Sequence, residues 1–459
     1  VTFTSQADGS AEGQAWAKVS LLEGTTVQSP PPDVGPPNHG QPMLAVVPGP
    51  AGRLWFDGDY LSRHVLFLGG IGTGKSNAMY QLLDPLRWRA GPDDVFVIFD
   101  TKGDFQENFY RDGDAVLSNA PDRDKGGVKW NLFADLLDQD ESERGEQIHE
   151  IASTIFSEGL EQSGENVFFA MAARDVFAAA VEAMSRRDEQ YTNADLRTQL
   201  EVPADELLEL LDIESNQDLA GTARYLEGDR RPEDILAFLQ QTLSKSFSGA
   251  FRLPGDFSIR DFVRRKGGRA LFVEYDISSG SRLLPVYRVL IDLAIKEALS
   301  LGRHKPRGSV FFVFDEFALL PQLSHISNGI NFGRSLGLKF IVGTQNVSQV
   351  IKAYGAEGGA SILSGFGTVL AFRLMDDASR DLVRQRFGAN RKQITTHAHV
   401  RTEGVQQLVI MGNVIEDWVM SGLERGRCVV SLPEGAPFFF AVGKYSPHQK
   451  QWQQYLGGQ

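Results

Sequence analysis

"HVLFLGGIGTGKS", residues His64–Ser76, is the stretch on which the fold turns. Its apolar start reads as a short buried strand, and "KSNAMYQLLDPLRWRA", which runs on from it, reads as a helix. Between them Gly69-x-x-x-x-Gly74-Lys75-Ser76 completes a phosphate-loop pattern in the strand–loop–helix context that such a loop needs. Glycines let the backbone wrap an anion with several N–H groups turned inward. The start of the helix adds the positive end of its dipole. Lys75 is expected to bridge the β- and γ-phosphates of a nucleotide, and the Ser76 hydroxyl to ligate Mg2+. A plain glycine turn before a helix is the bland alternative, and the intact pattern and context weigh against it.

Around this stretch, strands and helices alternate. "DVFVIFD" (94–100), "ALFVEYD" (270–276), "SVFFVFDE" (309–316), "KFIVGTQ" (339–345), "TVLAFRL" (368–374) and "CVVSL" (428–432) read as buried strands. Such runs with helical segments between them indicate a parallel sheet with crossovers. Between about Leu137 and Ala250 the strand signal stops. "IHEIASTIFSEGL", "NVFFAMAARDVFAAAVEAMS", "TNADLRTQLEV", "PADELLELLDI" and "PEDILAFLQQTL" carry apolar residues at helical spacing, with "TNAD" and Asn166 as candidate caps. The division expected is a Pro/Gly-rich lead-in with short strands over 1–60, near "AWAKVSLL", "MLAVVPG" and "RLWFDG". Then come an α/β domain in two parts, 61–136 and 251–445, an all-α insertion over 137–250, and a tail over 446–459. "QSPPPDVGPPNHGQP" excludes helix or central strand from its part of the lead-in. The 459 residues are enough for two or three domains. A single cysteine, Cys428, excludes an internal disulfide and suits a reducing compartment. No run of about 18 apolar residues is present to span a bilayer. The start at Val1, without methionine or signal peptide, is expected of a trimmed or processed chain, which leaves open an N-terminal membrane segment ahead of it.

A nucleotide hydrolase needs a second set of acids, and "SVFFVFDEF" supplies it. Asp315 and Glu316 end a buried strand, where ligands bind in open α/β sheets. Asp315 is expected to hold Mg2+ through water, and Glu316 to polarise the attacking water as general base. Paired acids of this kind point to a RecA-like P-loop domain rather than to a kinase or GTPase. Gln345, at the end of the next strand, is placed to sense the γ-phosphate. The nucleotide contacts expected are Gly69, Gly70, Gly72, Thr73, Gly74, Lys75, Ser76, Asn77 and Asp315.

Taken in order, the motifs resemble those of type IV secretion coupling proteins of the TraD/TraG kind, in the HerA/FtsK superfamily. "HVLFLGGIGTGKS" is similar to the family's Walker A and "VFFVFDEFALLPQL" to its Walker B. "VIFDTKGDF" (Val97–Phe105) resembles its Asp-Pro-Lys-Gly signature, with Thr101 in place of the usual proline. "VKWNLFADL" resembles its Trp-Asn-Pro-Leu segment, and "GRSLGLKFIVGTQNVSQV" its third motif, down to Gln345 and Gln349. "ERGRCVVSLPEGAPF" resembles its last pair of core strands, so the likeness covers about Leu61–Tyr445. The resemblance implies an ATP-hydrolysing ring motor, a homo-hexamer when active. It implies ATP and Mg2+ as cofactors, DNA (single-stranded in the first reading) in a central pore, and relaxase or effector proteins at the all-α domain. It further implies secretion channel components as partners, at the cytoplasmic face of the bacterial inner membrane. It makes Arg334 an arginine finger that reaches a neighbouring subunit's nucleotide, with Arg373 as the second choice. Two other functions stay open: a soluble HerA/FtsK-type translocase of duplex DNA, and a non-motor scaffold that binds ATP and recruits substrates.

Net charge is −13, which argues against a generally basic surface. Its distribution is uneven. Asp135–Glu165 holds ten acids and one arginine, whereas Asn331–Thr402 holds ten Lys/Arg and four acids. The expectation is that a phosphate backbone meets the second window and that the first faces protein partners.

Overall fold

The computed structural model describes residues 2–3, 16–28, 43–50, 52–120, 125–137, 139–161, 165–187, 189–227, 231–278, 280–302, 308–397 and 406–446. Most of the Pro-rich lead-in segment (29–42) and nearly all of the tail (447–459) lie outside these residues. The chain forms two compact units, Val1–Arg89 with Ile341–Gln459, and Ala90–Phe340.

The first unit begins with β1 (Thr2–Phe3), β2 (Trp16–Glu23), and the antiparallel pair β3 (Met43–Gly49) and β4 (Gly52–Asp57). A short α1 (Gly58–Ser62), capped by Asp57, leads to β5 (Val65–Leu68) and α2 (Lys75–Arg89). All four residues of β5 are buried, as a strand covered on both faces requires.

In the second unit β6 (Val95–Asp100) and α3 (Asp104–Phe109) precede two short strands, β7 (Ala115–Leu117) and β8 (Gly127–Val128). These two are too short to show a periodic signal in sequence. After α4 (Leu132–Leu136) come seven helices: α5 (Glu141–Ile155), α6 (Ser157–Leu160), α7 (Glu165–Ser185), α8 (Asn193–Leu200), α9 (Ala204–Leu211), α10 (Ala220–Ala223) and α11 (Pro232–Ser246). Among the described residues, 137–250 holds helices and turns but no strand. α7 packs against α5, α9 and α11, and its buried face is largely alanine, which lets helices approach closely. The caps are legible. Asp140 accepts from Glu143 N at the start of α5, and Thr192 with Asp195 forms a capping box on α8. The side chain of Asn166, the other candidate cap, lies outside the described residues. The expected helix "IHEIASTIFSEGL" is broken at buried Phe156, which separates α5 from α6.

α12 (Ile259–Arg265), β9 (Arg269–Glu274), α13 (Gly280–Gly302), β10 (Val310–Phe314) and α14 (Ile326–Leu336) complete this unit. Its strands are all parallel, in the order β10-β6-β9-β7-β8. β11 (Leu338–Thr344) carries the chain into α15 (Val347–Ser364), which is interrupted at Gly355, φ +76°. β12 (Thr368–Ala371), α16 (Asp377–Phe387), β13 (Ala389–His397), β14 (Gln406–Asn413), α17 (Asp417–Ser421), β15 (Arg427–Ser431) and β16 (Phe438–Ala441) follow. In the first unit β11, β5 and β12 lie side by side and parallel, and β15 and β16 extend them antiparallel. A separate antiparallel sheet has the order β1-β2-β13-β14. That sheet was not legible in sequence: "ANRKQITTH" is too polar to read as a strand. The strand expected near "AWAKVSLL" is β2, which aligns with β13 from Trp16 to Glu23, a pairing that periodicity does not reveal.

Candidate nucleotide-binding site

The phosphate loop leaves β5 and is pinned on three sides within the first unit. Gly69 N donates to Thr344 O (3.2 Å), Gly70 N to Arg373 O (3.2 Å), and Gly426 N to Thr73 O (2.8 Å). Close approach explains two of the glycines. A Cβ on Gly69 would lie 2.7 Å from Phe372 Cβ, and one on Gly74, at φ +116°, would lie 3.1 Å from Gly426 Cα. Thr73 Oγ1 donates to Gly70 O (2.8 Å) and closes the turn from inside. Lys75 is 8% exposed, and its ammonium donates to Gly69 O at 2.5 Å, with Gly70 O at 3.5 Å. Its charge is thus already directed into the loop. Gly72, φ +71°, has open space where a side chain would be. Ser76 is half-buried on the first turn of α2. Asn77 is engaged elsewhere: it accepts from Tyr445 N (2.7 Å) and donates to Gly443 O (2.7 Å). Gln81 donates to the same carbonyl (2.8 Å), and Tyr80 meets Tyr445 edge to face at 5.5 Å. Gly443–Tyr445 therefore straps the start of α2, a contact that periodicity does not reveal. Gln345 is half-buried directly after β11, followed by Asn346, which caps α15.

The acid pair lies in the second unit, at the C-terminal end of β10. Asp315 and Glu316 are each 7% exposed. Asp315 N donates to Phe99 O (3.2 Å), and Thr101 Oγ1 donates to Asp315 Oδ2 (2.7 Å). Asp100 is fully buried beside them. Its carboxylate accepts from Lys102 N (3.3 Å), Gly103 N (2.9 Å) and Gln106 N (2.9 Å), tying down the turn into α3. Burial pushes its carboxyl up to about 6, against those hydrogen bonds and with a smaller push from the Asp315 charge. Arg334 is exposed on α14, and Phe332 beside it is also exposed. Asp100 and Thr101 were missed as site residues, although "DTKGDF" held the signal: an acid and a hydroxyl at a strand end, level with the paired acids.

"VKWNLFADL" proves to be the root of the helical block. Trp130 is fully buried and donates through Nε1 to Asp135 Oδ2 (2.6 Å). Asn193 donates to Trp130 O (2.8 Å) and Phe251 O (3.0 Å) and accepts from Leu132 N (2.9 Å). Asp135 Oδ1 accepts from Ser258 Oγ (2.6 Å) and Arg260 N (2.9 Å), so the chain before the block is fastened to the chain after it.

A glycine loop pinned between a buried parallel strand and a helix, with its lysine folded inward, defines a P-loop protein of the α/β class. The sequence profile of the type IV secretion-system coupling protein DNA-binding domain matches residues 52–438, and the chain belongs to that family. It is 24% identical over 317 residues to coupling protein TraD of Escherichia coli (strain K12), across 66% of this chain and 41% of TraD, so it spans about two fifths of that relative. The bacterial conjugative coupling protein TrwBdeltaN70, in its unbound monoclinic form, superposes with a TM-score of 0.74 at 19% identity, over 95% of this chain and 96% of that one. Plasmid coupling protein TrwB in complex with ADP and Mg2+ gives 0.72 at 19% identity, over 96% and 97%. At such identities the likeness speaks for the fold.

The residues fit a nucleotide with Mg2+. The loop has no room for side chains at Gly69 and Gly74, and a buried ammonium is turned into it; Ser76 in the first unit and, taken by itself, Asp315 in the second are each a hard oxygen donor of the kind Mg2+ takes.

Proposed function

We propose that this chain is the ATP-hydrolysing motor part of a conjugative coupling protein, driving DNA or a protein–DNA complex toward a type IV secretion channel. The observation that carries the reading is the closed phosphate loop with Lys75 already directed into it. Family membership and the nucleotide complexes of TrwB, with ADP and Mg2+ and with a non-hydrolysable ATP analogue, support it.

In this reading the amides of Gly69, Gly70, Gly72, Thr73 and Gly74 hold the β-phosphate, and Lys75 offsets the charge of the β- and γ-phosphates. Ser76 and Asp315 are the residues that would hold Mg2+, and the ion would supply neutralisation of charge that develops on phosphate. Glu316, buried and next to Asp315, takes the proton of the attacking water. Gln345 reads the γ-phosphate. Arg334, exposed on α14, acts on a neighbouring subunit's nucleotide, so turnover belongs to a homo-hexamer. Asn77, held by Gly443 and Tyr445, supports the loop from behind and does not itself touch nucleotide. The all-α domain, 137–250, receives relaxase or effector protein, and the motor works at the cytoplasmic face of the inner membrane. Among the described residues no helix is long and apolar enough to cross a membrane.

The test is steady-state ATPase activity with no DNA, single-stranded DNA and duplex DNA, beside native mass measurement. DNA-stimulated turnover accompanied by hexamers is expected. Nucleotide binding without turnover in any of these states would instead support the scaffold reading.

A further inference from the structure

We propose that Thr101 is a positioning residue for Asp315, fixing through its hydroxyl which carboxylate oxygen of that acid is turned toward Mg2+. The inference rests on the proposed nucleotide site and adds a residue to it.

The geometry is local to two neighbouring strand ends. β6 and β10 are parallel, with Phe99 opposite Phe314, so the residues after them emerge side by side. Thr101 is buried, and its Oγ1 lies 2.7 Å from Asp315 Oδ2. An ionised carboxylate only accepts, so the hydroxyl donates. A hydrogen bond to a charged acceptor is stronger than a neutral one, and it commits Oδ2 to that direction. The donor is itself held. Asp100, one residue earlier, accepts three backbone N–H bonds from Lys102, Gly103 and Gln106, and its own carbonyl accepts from Tyr275 N (2.9 Å). A β-branched side chain on so constrained a backbone has few rotamers to choose from. Without the hydroxyl the Asp315 carboxylate loses the bond that commits Oδ2 to that direction. Groups that orient a metal-holding carboxylate in this way typically matter by about 10–100-fold in metal affinity.

The experiment uses the full chain and a fluorescent ATP analogue, titrated with Mg2+ at fixed nucleotide, with binding as the readout. Thr101→Val keeps the shape and removes the donor. It is expected to raise the Mg2+ concentration for half-maximal binding by about 10-fold or more, with nucleotide binding in excess chelator unchanged. Thr101→Ser restores the donor and should return the midpoint to within about 3-fold of the starting protein. If Thr101→Val fails to fold, Thr101→Ala carries the same expectation. A Mg2+ midpoint unchanged in Thr101→Val or Thr101→Ala overturns the proposal. So does a shift that Thr101→Ser fails to reverse, since the side chain's shape would then be responsible. Failure of the unsubstituted protein to bind nucleotide in a Mg2+-dependent way overturns the site itself, a different and distinguishable result.

Discussion

Replacing Asp135 by asparagine is expected to destabilise the second unit by about 2–4 kcal/mol, although the two side chains have nearly the same shape. Asp135 is 1% exposed and accepts three hydrogen bonds: Trp130 Nε1 on Oδ2, and Ser258 Oγ and Arg260 N on Oδ1. An amide supplies one acceptor oxygen and one NH2. With the NH2 at the Oδ2 position, it faces the indole N–H donor to donor. With the NH2 at Oδ1, the Ser258 hydroxyl can turn and accept, but Arg260 N–H loses its acceptor. Either way one buried donor is orphaned, at about 1–3 kcal/mol, and the remaining bonds lose their charge assistance. The variant gains back the cost of burying a charge, which is real here because burial raises the Asp135 carboxyl above its usual range. That gain keeps the net below the sum of the parts. The assay is urea unfolding followed by circular dichroism and, separately, by hydrogen exchange at the amides of 130–136 and 258–262. Two compact units need not unfold together, so the local exchange is the decisive signal. Ser258→Ala removes one of the same bonds and should add less than its full effect on top of Asp135→Asn. A loss below about 0.5 kcal/mol, or strict additivity with Ser258→Ala, refutes the claim that this carboxylate fastens the two ends of the helical block.

Glu316→Gln is expected to keep ATP binding and abolish turnover, while Lys75→Ala weakens both; normal steady-state turnover by Glu316→Gln removes that residue from the base role. Mixing Arg334→Ala subunits with Lys75→Ala subunits should restore part of the activity if the arginine acts across an interface, and hexamers that recover none at any ratio count against it. For pH, burial raises the Asp292 carboxyl to about 6, against hydrogen bonds from Ser324 N and His325 N, so the folded state binds that proton more tightly than the unfolded chain. The associated stability is present below about pH 4 and is lost as pH rises to about 6, on the order of 3 kcal/mol. Asp292→Asn should remove that slope in denaturant midpoints between those pH values, and a slope equal to that of the starting protein refutes the assignment.

The buried strands were legible because they are short runs of Val, Ile, Leu and Phe with turn residues at both ends, as in "VFVIFD" and "VFFVF". The phosphate loop was legible because its whole pattern, glycines, lysine and serine, lies within eight consecutive residues between a strand and a helix. What escaped depended on partners distant in sequence. β2, expected near "AWAKVSLL", finds β13 across more than three hundred residues, and β13 is too polar to announce itself as the partner. The hold of the Asn77 side chain on Gly443 and Tyr445 is of the same kind, since it depends on a C-terminal segment far away in sequence. Thr101 stood out in sequence only as a departure from a family pattern, and its use became visible once Asp315 was found within hydrogen-bond reach.

Charge counted along the chain proved a poor guide to surface, for a physical reason. The acidic window from Asp135 to Glu165 contains one fully buried carboxylate at the root of the helical block. It also contains Asp140, Glu141 and Glu143 at the start of α5, where the helix dipole favours acids whatever the partner. Burial works to raise the Glu150 carboxyl, but His325 and then Lys296 (2.6 Å) hold it below the usual range. The basic window from Asn331 to Thr402 is drawn down further. Lys339 is buried against Ser309, and Arg386 is sunk onto Ser431 and the Gly367 carbonyl. Arg380 and Arg384 pair with Asp377 and Asp381 a turn away, and both also face Asp417. Four of the ten positive charges thus support the first and second units from within. A phosphate backbone that meets this window meets fewer charges than the sequence counts: exposed Arg334 and Lys352 stand on helices, and Arg391 and Lys392 on β13. Under the proposed function this favours a grip assembled from a few charges per subunit and repeated around a ring, over a basic groove carried by a single chain.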